Sequence, residues 1–166
     1  MNTKRTLAVM AAAAVLMACS PKYDWRDFRS NDAPFAVLFP GKPATHTRNI
    51  NLNGEQVQMT MAAAEVEGTM FAVGSAELPD ESKAAKAVQD MKAQMVRNVG
   101  ASNSKETTKD GAFLVEAHGV QNGTPMLMHA RFQSQGKRAY QVVVMGKEKD
   151  INTEIVDTFM SSFKVN

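Results

Sequence analysis

The chain has a single cysteine, Cys19, among 166 residues. No internal disulfide can form, so stability has to come from core burial. Aromatic residues are scarce at 7%, with one Trp and two Tyr. No apolar run reaches the roughly 20 residues needed to cross a bilayer core of about 30 Å as a helix. Charge of one sign is also lacking. Lys and Arg number 19 and Asp and Glu 17, and with Lys4 and Arg5 set aside the remainder carries 17 of each. Nucleic-acid binders need a basic face to neutralise phosphates, so that class is excluded. Attachment to anionic lipid by charge alone is disfavoured for the same reason.

Catalytic motifs are missing as well. There is no Gly-x-Ser-x-Gly elbow and no Gly-x-x-x-x-Gly-Lys-Ser/Thr loop. The three histidines, His46, His118 and His129, sit in no recognisable triad spacing. The acidic pairs Asp24 with Asp27 and Asp80 with Glu81 lie in a polar lead-in and at a helix start. Acidic residues are expected at a helix start on electrostatic grounds alone.

What is present begins at the N-terminus. Residues 1–5 are short and positive, and residues 6–18 form an apolar run. That run is too short to serve as a span and reads as a cleavable export signal. It ends in Leu16-Met17-Ala18-Cys19, which resembles the lipobox of bacterial lipoproteins. The resemblance implies a diacylglycerol on the Cys19 sulfur, cleavage before Cys19 and acylation of the new amine. Several acyl chains anchor stably where one is marginal. Ser20 follows the cysteine, where Gram-negative lipoproteins by resemblance carry a residue other than Asp when bound for the outer membrane. The expected organisation is a signal at 1–18, a tether at 19–34 and one domain at 35–166. The expected location is the cell envelope, on the periplasmic side. Tyr23, Trp25 and Phe28 of the tether could dock on the domain or lie near headgroups. Docking is the plainer reading, because such rings bury large area.

In the domain, Phe35 to Pro40 reads as a strand stopped by proline. Thr45–Leu52 and Glu55–Glu65 flank Asn53-Gly54, a strong hairpin signal. Another strand runs from about Thr69 to Leu78. Asp80 caps a helix whose Ala84, Val88, Met91 and Met95 form one stripe, and Gly100 closes it. Strands at about 112–121, 124–134 and 138–146 make a meander through Asn122-Gly123 and Gln135-Gly136. A last helix at about 151–163 buries Ile155, Val156, Phe159, Met160 and Phe163.

This order predicts an α+β domain on an antiparallel sheet. The opening Phe35-Ala36-Val37-Leu38-Phe39-Pro40-Gly41-Lys42-Pro43, the central helix and the closing Phe159-Met160-Ser161-Ser162-Phe163-Lys164 resemble the PsbP-like fold, and a group of bacterial lipoproteins that carry it. The resemblance spans roughly residues 34–165. It implies a curved antiparallel sheet flanked by two main helices, and a binding or assembly role. It transfers no functional residue.

The meander has two faces. Phe113, Val115, Ala117, Met126, Met128, Ala130, Phe132, Ala139, Gln141, Val143 and Met145 share the apolar one, assigned to the core. The other gathers Glu116, His118, His129, Arg131 and Tyr140 among Leu114, Leu127, Val142 and Val144. On the expected register Glu116 faces His129, and Arg131 faces Tyr140. This mixed face is the candidate binding surface, its apolar floor giving area and its polar groups donors. The same pattern also fits a half-covered sheet face. Met126 and Met128 with His118 and His129 suggest copper by ligand type. Pairing sends the thioethers and imidazoles to opposite faces, where they cannot share an ion, so no metal and no cofactor is expected.

The expected function is non-enzymatic, a lipid-anchored module that binds an envelope protein or small ligand. The alternatives are an envelope hydrolase using His118 or His129 as base, or a carrier of a metal or small ligand. Protein purified from its host's membranes should lack residues 1–18 and carry acyl mass on Cys19 by intact-mass spectrometry. Cys19→Ser should leave the membrane pellet, and an intact leader with a free thiol would refute the anchor.

Overall fold

A computed structural model describes residues 21–166. Cys19 and the expected export signal lie outside the described residues. The strands in chain order are β1 (Arg26–Arg29), β2 (Phe35–Phe39), β3 (Ala44–Leu52), β4 (Glu55–Val66), β5 (Thr69–Glu77), β6 (Ala101–Lys109), β7 (Ala112–Gln121), β8 (Thr124–Gln135), β9 (Arg138–Lys147) and β10 (Lys164–Val165). Helix α1 (Glu81–Asn98) lies between β5 and β6, and α2 (Thr153–Ser162) follows β9 after a 3-10 turn at Glu148–Asp150.

Seven strands form one antiparallel sheet in the order β3-β4-β5-β9-β8-β7-β6, and β1-β2-β10 form a second, small one. Strands make up 56% of the described residues and helix 21%. The expected α+β sandwich, a sheet flanked by two helices in the PsbP-like manner, is therefore overturned: the molecule is mostly β. Two stretches account for the difference. Residues 101–109, given no element from the sequence, form edge strand β6. Part of the expected tether pairs as β1 with β2, Arg26 opposite Phe39 and Arg29 opposite Ala36. The second face of the large sheet is thus covered by a small sheet together with α2, where a helix alone was expected.

One face of the large sheet packs under α1. Asp80 caps that helix by accepting from the Lys83 amide at 2.9 Å, and its Ala84, Ala87, Val88 and Met91 are buried. They meet Val115, Ala117, Met128, Ala130, Phe132 and Val143 from the sheet. Asp90 Oδ2 accepts from the Asn53 amide at 3.0 Å, gripping the β3–β4 turn. Lys92 pairs with Glu106 at 2.8 Å and lies 4.3 Å from the Phe113 ring centroid.

The opposite face packs under β2, α2 and Phe163. Phe39 and Phe71 each stand 5.4 Å from Phe159 between ring centroids. Phe35 and Phe163 cover Tyr140, at 6.3 and 5.8 Å. Of the lead-in aromatics, Trp25 and Phe28 pack against this layer, and Tyr23 stacks on Trp25 at 6.4 Å.

The expected register holds across β7–β8, where Glu116 faces His129. It slips by two across β8–β9. Gln135 pairs with Arg138, so the loop is Gly136–Lys137, and Gly136 opens it at φ +55°. Arg131 therefore faces Val142, and Tyr140 faces Gln133. A shift of two keeps every side chain on its expected face.

The end of α1 presses on β7 at Gly119. A Cβ there would overlap the Val99 carbonyl oxygen and come within 2.8 Å of the Gly100 carbonyl carbon. Both obstacles are backbone, so relief requires moving the helix end. Gly119→Ala is expected to destabilise the protein by about 1–3 kcal/mol, the usual cost of overpacking. Urea denaturation checks it, and an unchanged midpoint would show that the helix end yields freely.

Candidate functional site

The small sheet and α2 cover only part of the second face. Tyr140, Val142 and Val144 of β9 are buried beneath them. Beyond β9, the same face of β8, β7 and β6 is left without a roof. Strand alternation dictates what stands there: Leu114 and Glu116 from β7, His129 and Arg131 from β8, Lys105, Thr107 and Lys109 from β6. Helix α2 forms the opposing wall. Asn152 fixes its start by accepting from the amides of Glu154 at 3.0 Å and Ile155 at 3.3 Å. Val156 and Phe159 turn into the core, which leaves Glu154, Asp157, Thr158 and Ser161 on the other side. Wall and floor enclose an open groove of about 1010 Å³.

The five expected site residues separate into two groups. Glu116, His118, His129 and Arg131 stay together on the open side, whereas Tyr140 is 1% exposed inside the aromatic layer. Tyr140 is thereby removed from the candidate surface, and burial raises its phenol pKa, with Arg138 opposing. Glu116 sits between two imidazoles, its Oε1 3.2 Å from His118 Nε2 and its Oε2 3.7 Å from His129 Nδ1. His118 Nδ1 also approaches Glu148 Oε1 at 3.2 Å. A neutral imidazole donates to one of these carboxylates, an imidazolium to both. Arg131 Nε donates to Gln133 Oε1 at 2.6 Å, and its guanidinium pairs with no carboxylate among the described residues.

Met128 is buried in the α1-side core and Met126 packs against it, across the sheet from both histidines, so the four form no common donor set. Among the described residues no three His, Cys, Asp or Glu side chains converge as for a metal ion. A Ser or carboxylate within hydrogen-bond distance of His129, as a hydrolytic dyad requires, is not among the contacts of that ring in the described residues, the nearest being the 3.7 Å approach of Glu116.

Reading the sequence missed the wall and the outer floor. The signals existed. Glu154, Asp157, Thr158 and Ser161 recur at spacings of three, one and three, a polar stripe opposite the apolar seam. Asp110-Gly111, the turn joining β6 to β7 with Asp110 at φ +52° and Gly111 at φ +75°, is a strong hairpin signal. Its upstream strand is polar on both sides, so periodicity is silent there.

Burial is the main influence on His129 and lowers its pKa. Glu116 and Asp157 oppose, and His118 adds to the lowering. A lowered histidine pKa means that the unfolded chain takes up the proton first as pH falls. Stability attributable to His129 is then full above the unfolded value near 6.5 and declines as pH drops through it. His129→Gln should reduce the loss of stability between about pH 7.5 and 5.5. Chemical denaturation at both values checks it, and an identical loss in the variant would contradict it.

No family model matches the chain, and no curated protein matches it.

Proposed function

We propose that the chain is a bacterial envelope lipoprotein, anchored by acyl chains on Cys19, whose domain is a non-enzymatic binding or assembly module. The observation that carries the binding role is the groove between α2 and strands β6–β8. It has area, an apolar patch at Leu114 and Met160, and polar groups of both signs around it. Binding sites combine apolar lining with a few placed polar groups in this way. Lys105, Lys109 and Arg131 supply positive charge from the sheet, and Glu154 and Asp157 negative charge from the helix. Such a site favours an occupant with both polar and apolar character, either a segment of an envelope protein or a small polar ligand. The anchor reading is supported by Leu16-Met17-Ala18-Cys19 at the close of a short apolar run. Ser20 supports the outer membrane, with the domain in the periplasm.

Arg131 is the residue on which recognition is expected to turn, since its guanidinium offers directed donors and pairs with no carboxylate among the described residues. Envelope extract passed over the immobilised domain should yield a species retained by wild type and lost by Arg131→Glu. Purified and added back at 100 times its dissociation constant, that species should stabilise the wild type by about 2.7 kcal/mol. Equal retention by the two proteins, with equal melting temperatures, would count against the groove as the site.

A further inference from the structure

We propose that the end of the large sheet bearing the β4–β5 and β7–β8 turns is a membrane-facing surface, seated on phospholipid headgroups. It rests on the lipoprotein reading and adds an orientation to it. The first support is the length of the leash. The Asp24 amide donates to the Pro40 carbonyl at 3.0 Å, and Lys22 Nζ reaches Glu67 Oε2 at 2.6 Å. Asp24 is five residues beyond Cys19. A fully extended chain covers at most about 3.3–3.6 Å per residue, so these five steps span roughly 18 Å at most. Acyl chains on Cys19 would therefore hold Asp24 and its neighbour Pro40 close to the headgroups. The domain cannot turn its far end to the bilayer on so short a connection.

The second support is the character of that end. Strand register gathers there the Glu67–Gly68 turn, the Asn122–Gly123 turn and the 3-10 turn after β9: Val66 pairs with Thr69, Met70 with Met145, Met126 with Lys147, and Gln121 with Thr124. Among the described residues the exposed large hydrophobics are Leu38, Met70 and Val120. Met70 and Val120 adjoin the two turns, and Leu38 lies two residues before Pro40. None lies at the far end, which carries the Asn53–Gly54, Asp110–Gly111 and Gly136–Lys137 turns. Val120 is 56% exposed, and burying it at an interface is favourable in proportion to that area. Tyr23 and Trp25 stack beside the leash and keep partial exposure, as rings at headgroup level do. Lys147 and Lys149 are exposed at this end, where their stems can lie along lipid while the ammonium groups reach phosphate. None of the three turns lines the groove, so seating this end on the bilayer leaves the groove open.

The test exploits the absence of any other cysteine. In the lipidated full-length protein, Val120→Cys and Lys137→Cys each provide one free thiol for a fluorophore, at the near and far ends. The proteins are placed in vesicles of phosphatidylethanolamine and phosphatidylglycerol containing a headgroup nitroxide quencher. Quenching several-fold stronger at 120 than at 137 is the expected result. Equal quenching, or stronger quenching at 137, overturns the orientation. Weak quenching at 120 together with disulfide-linked dimers through that unlabelled thiol also overturns it, in favour of a second copy at this end. Mass spectrometry of the vesicle-bound protein separates the two readings. Acylated Cys19 with equal quenching sinks the orientation alone, while unacylated Cys19 sinks the anchor and the orientation with it.

Discussion

Two neighbouring strands in the middle of the large sheet are buried on both faces. Phe71 through Ala76 of β5 and Ala139 through Val144 of β9 are buried without a break. A sheet with such strands at its centre has to be roofed on both sides. Helix α1 roofs one side. The other is roofed by elements from opposite ends of the chain, β1 and β2 from the start and α2 and β10 from the finish. Long-range closure is thus imposed by the middle of the sheet, and the aromatic residues are spent on it: six of the eight phenylalanines belong to this layer. Each buried Phe contributes about 1.5–3 kcal/mol, so the layer holds β1, β2, α2 and β10 in place without a disulfide.

That roof is narrower than the sheet, and the groove is the remainder. Where it stops, beside β9, the same face changes from Val142 and Val144 to His129 and Arg131 on β8, then to Lys105 and Lys109 on β6. The polarity gradient follows coverage strand by strand. It explains why Tyr140 and His129, on one face of adjoining strands, meet different fates. Tyr140 lies under Phe35 and Phe163, whereas the His129 side chain keeps 23% exposure at the edge of the roof. Partial burial of an imidazole between carboxylates sets two opposing influences on its proton, and desolvation is the larger.

The free edges are handled by charge and hydroxyls. β6 reads Ala-Ser-Asn-Ser-Lys-Glu-Thr-Thr-Lys, and its side chains are exposed almost throughout. β3 at the other edge carries His46 and Arg48 with Thr45, Thr47 and Asn49, all exposed. Edge strands of this composition resist pairing with other chains. The same composition hides β6 from a sequence reading, because hydrophobic alternation is the signal by which strands are found.

The sequence alone determined the local elements whose information is local. Asn53-Gly54 and Asn122-Gly123 set their turns by backbone preference, Asp80 capped α1, and alternation along β7 and β8 put Glu116 opposite His129 on the face away from Met128. It also carried the lipobox-like segment, which depends on no fold. Tertiary structure alone decided what covers what. A small sheet in place of a second helical layer, the loss of Tyr140 to the core, and the joining of α2 to β6–β8 as a groove all depend on which distant segment reaches an apolar face first. Periodicity shows that a face must be buried. It does not show by whom, because hydrophobic burial is non-directional and any apolar partner of suitable shape satisfies it.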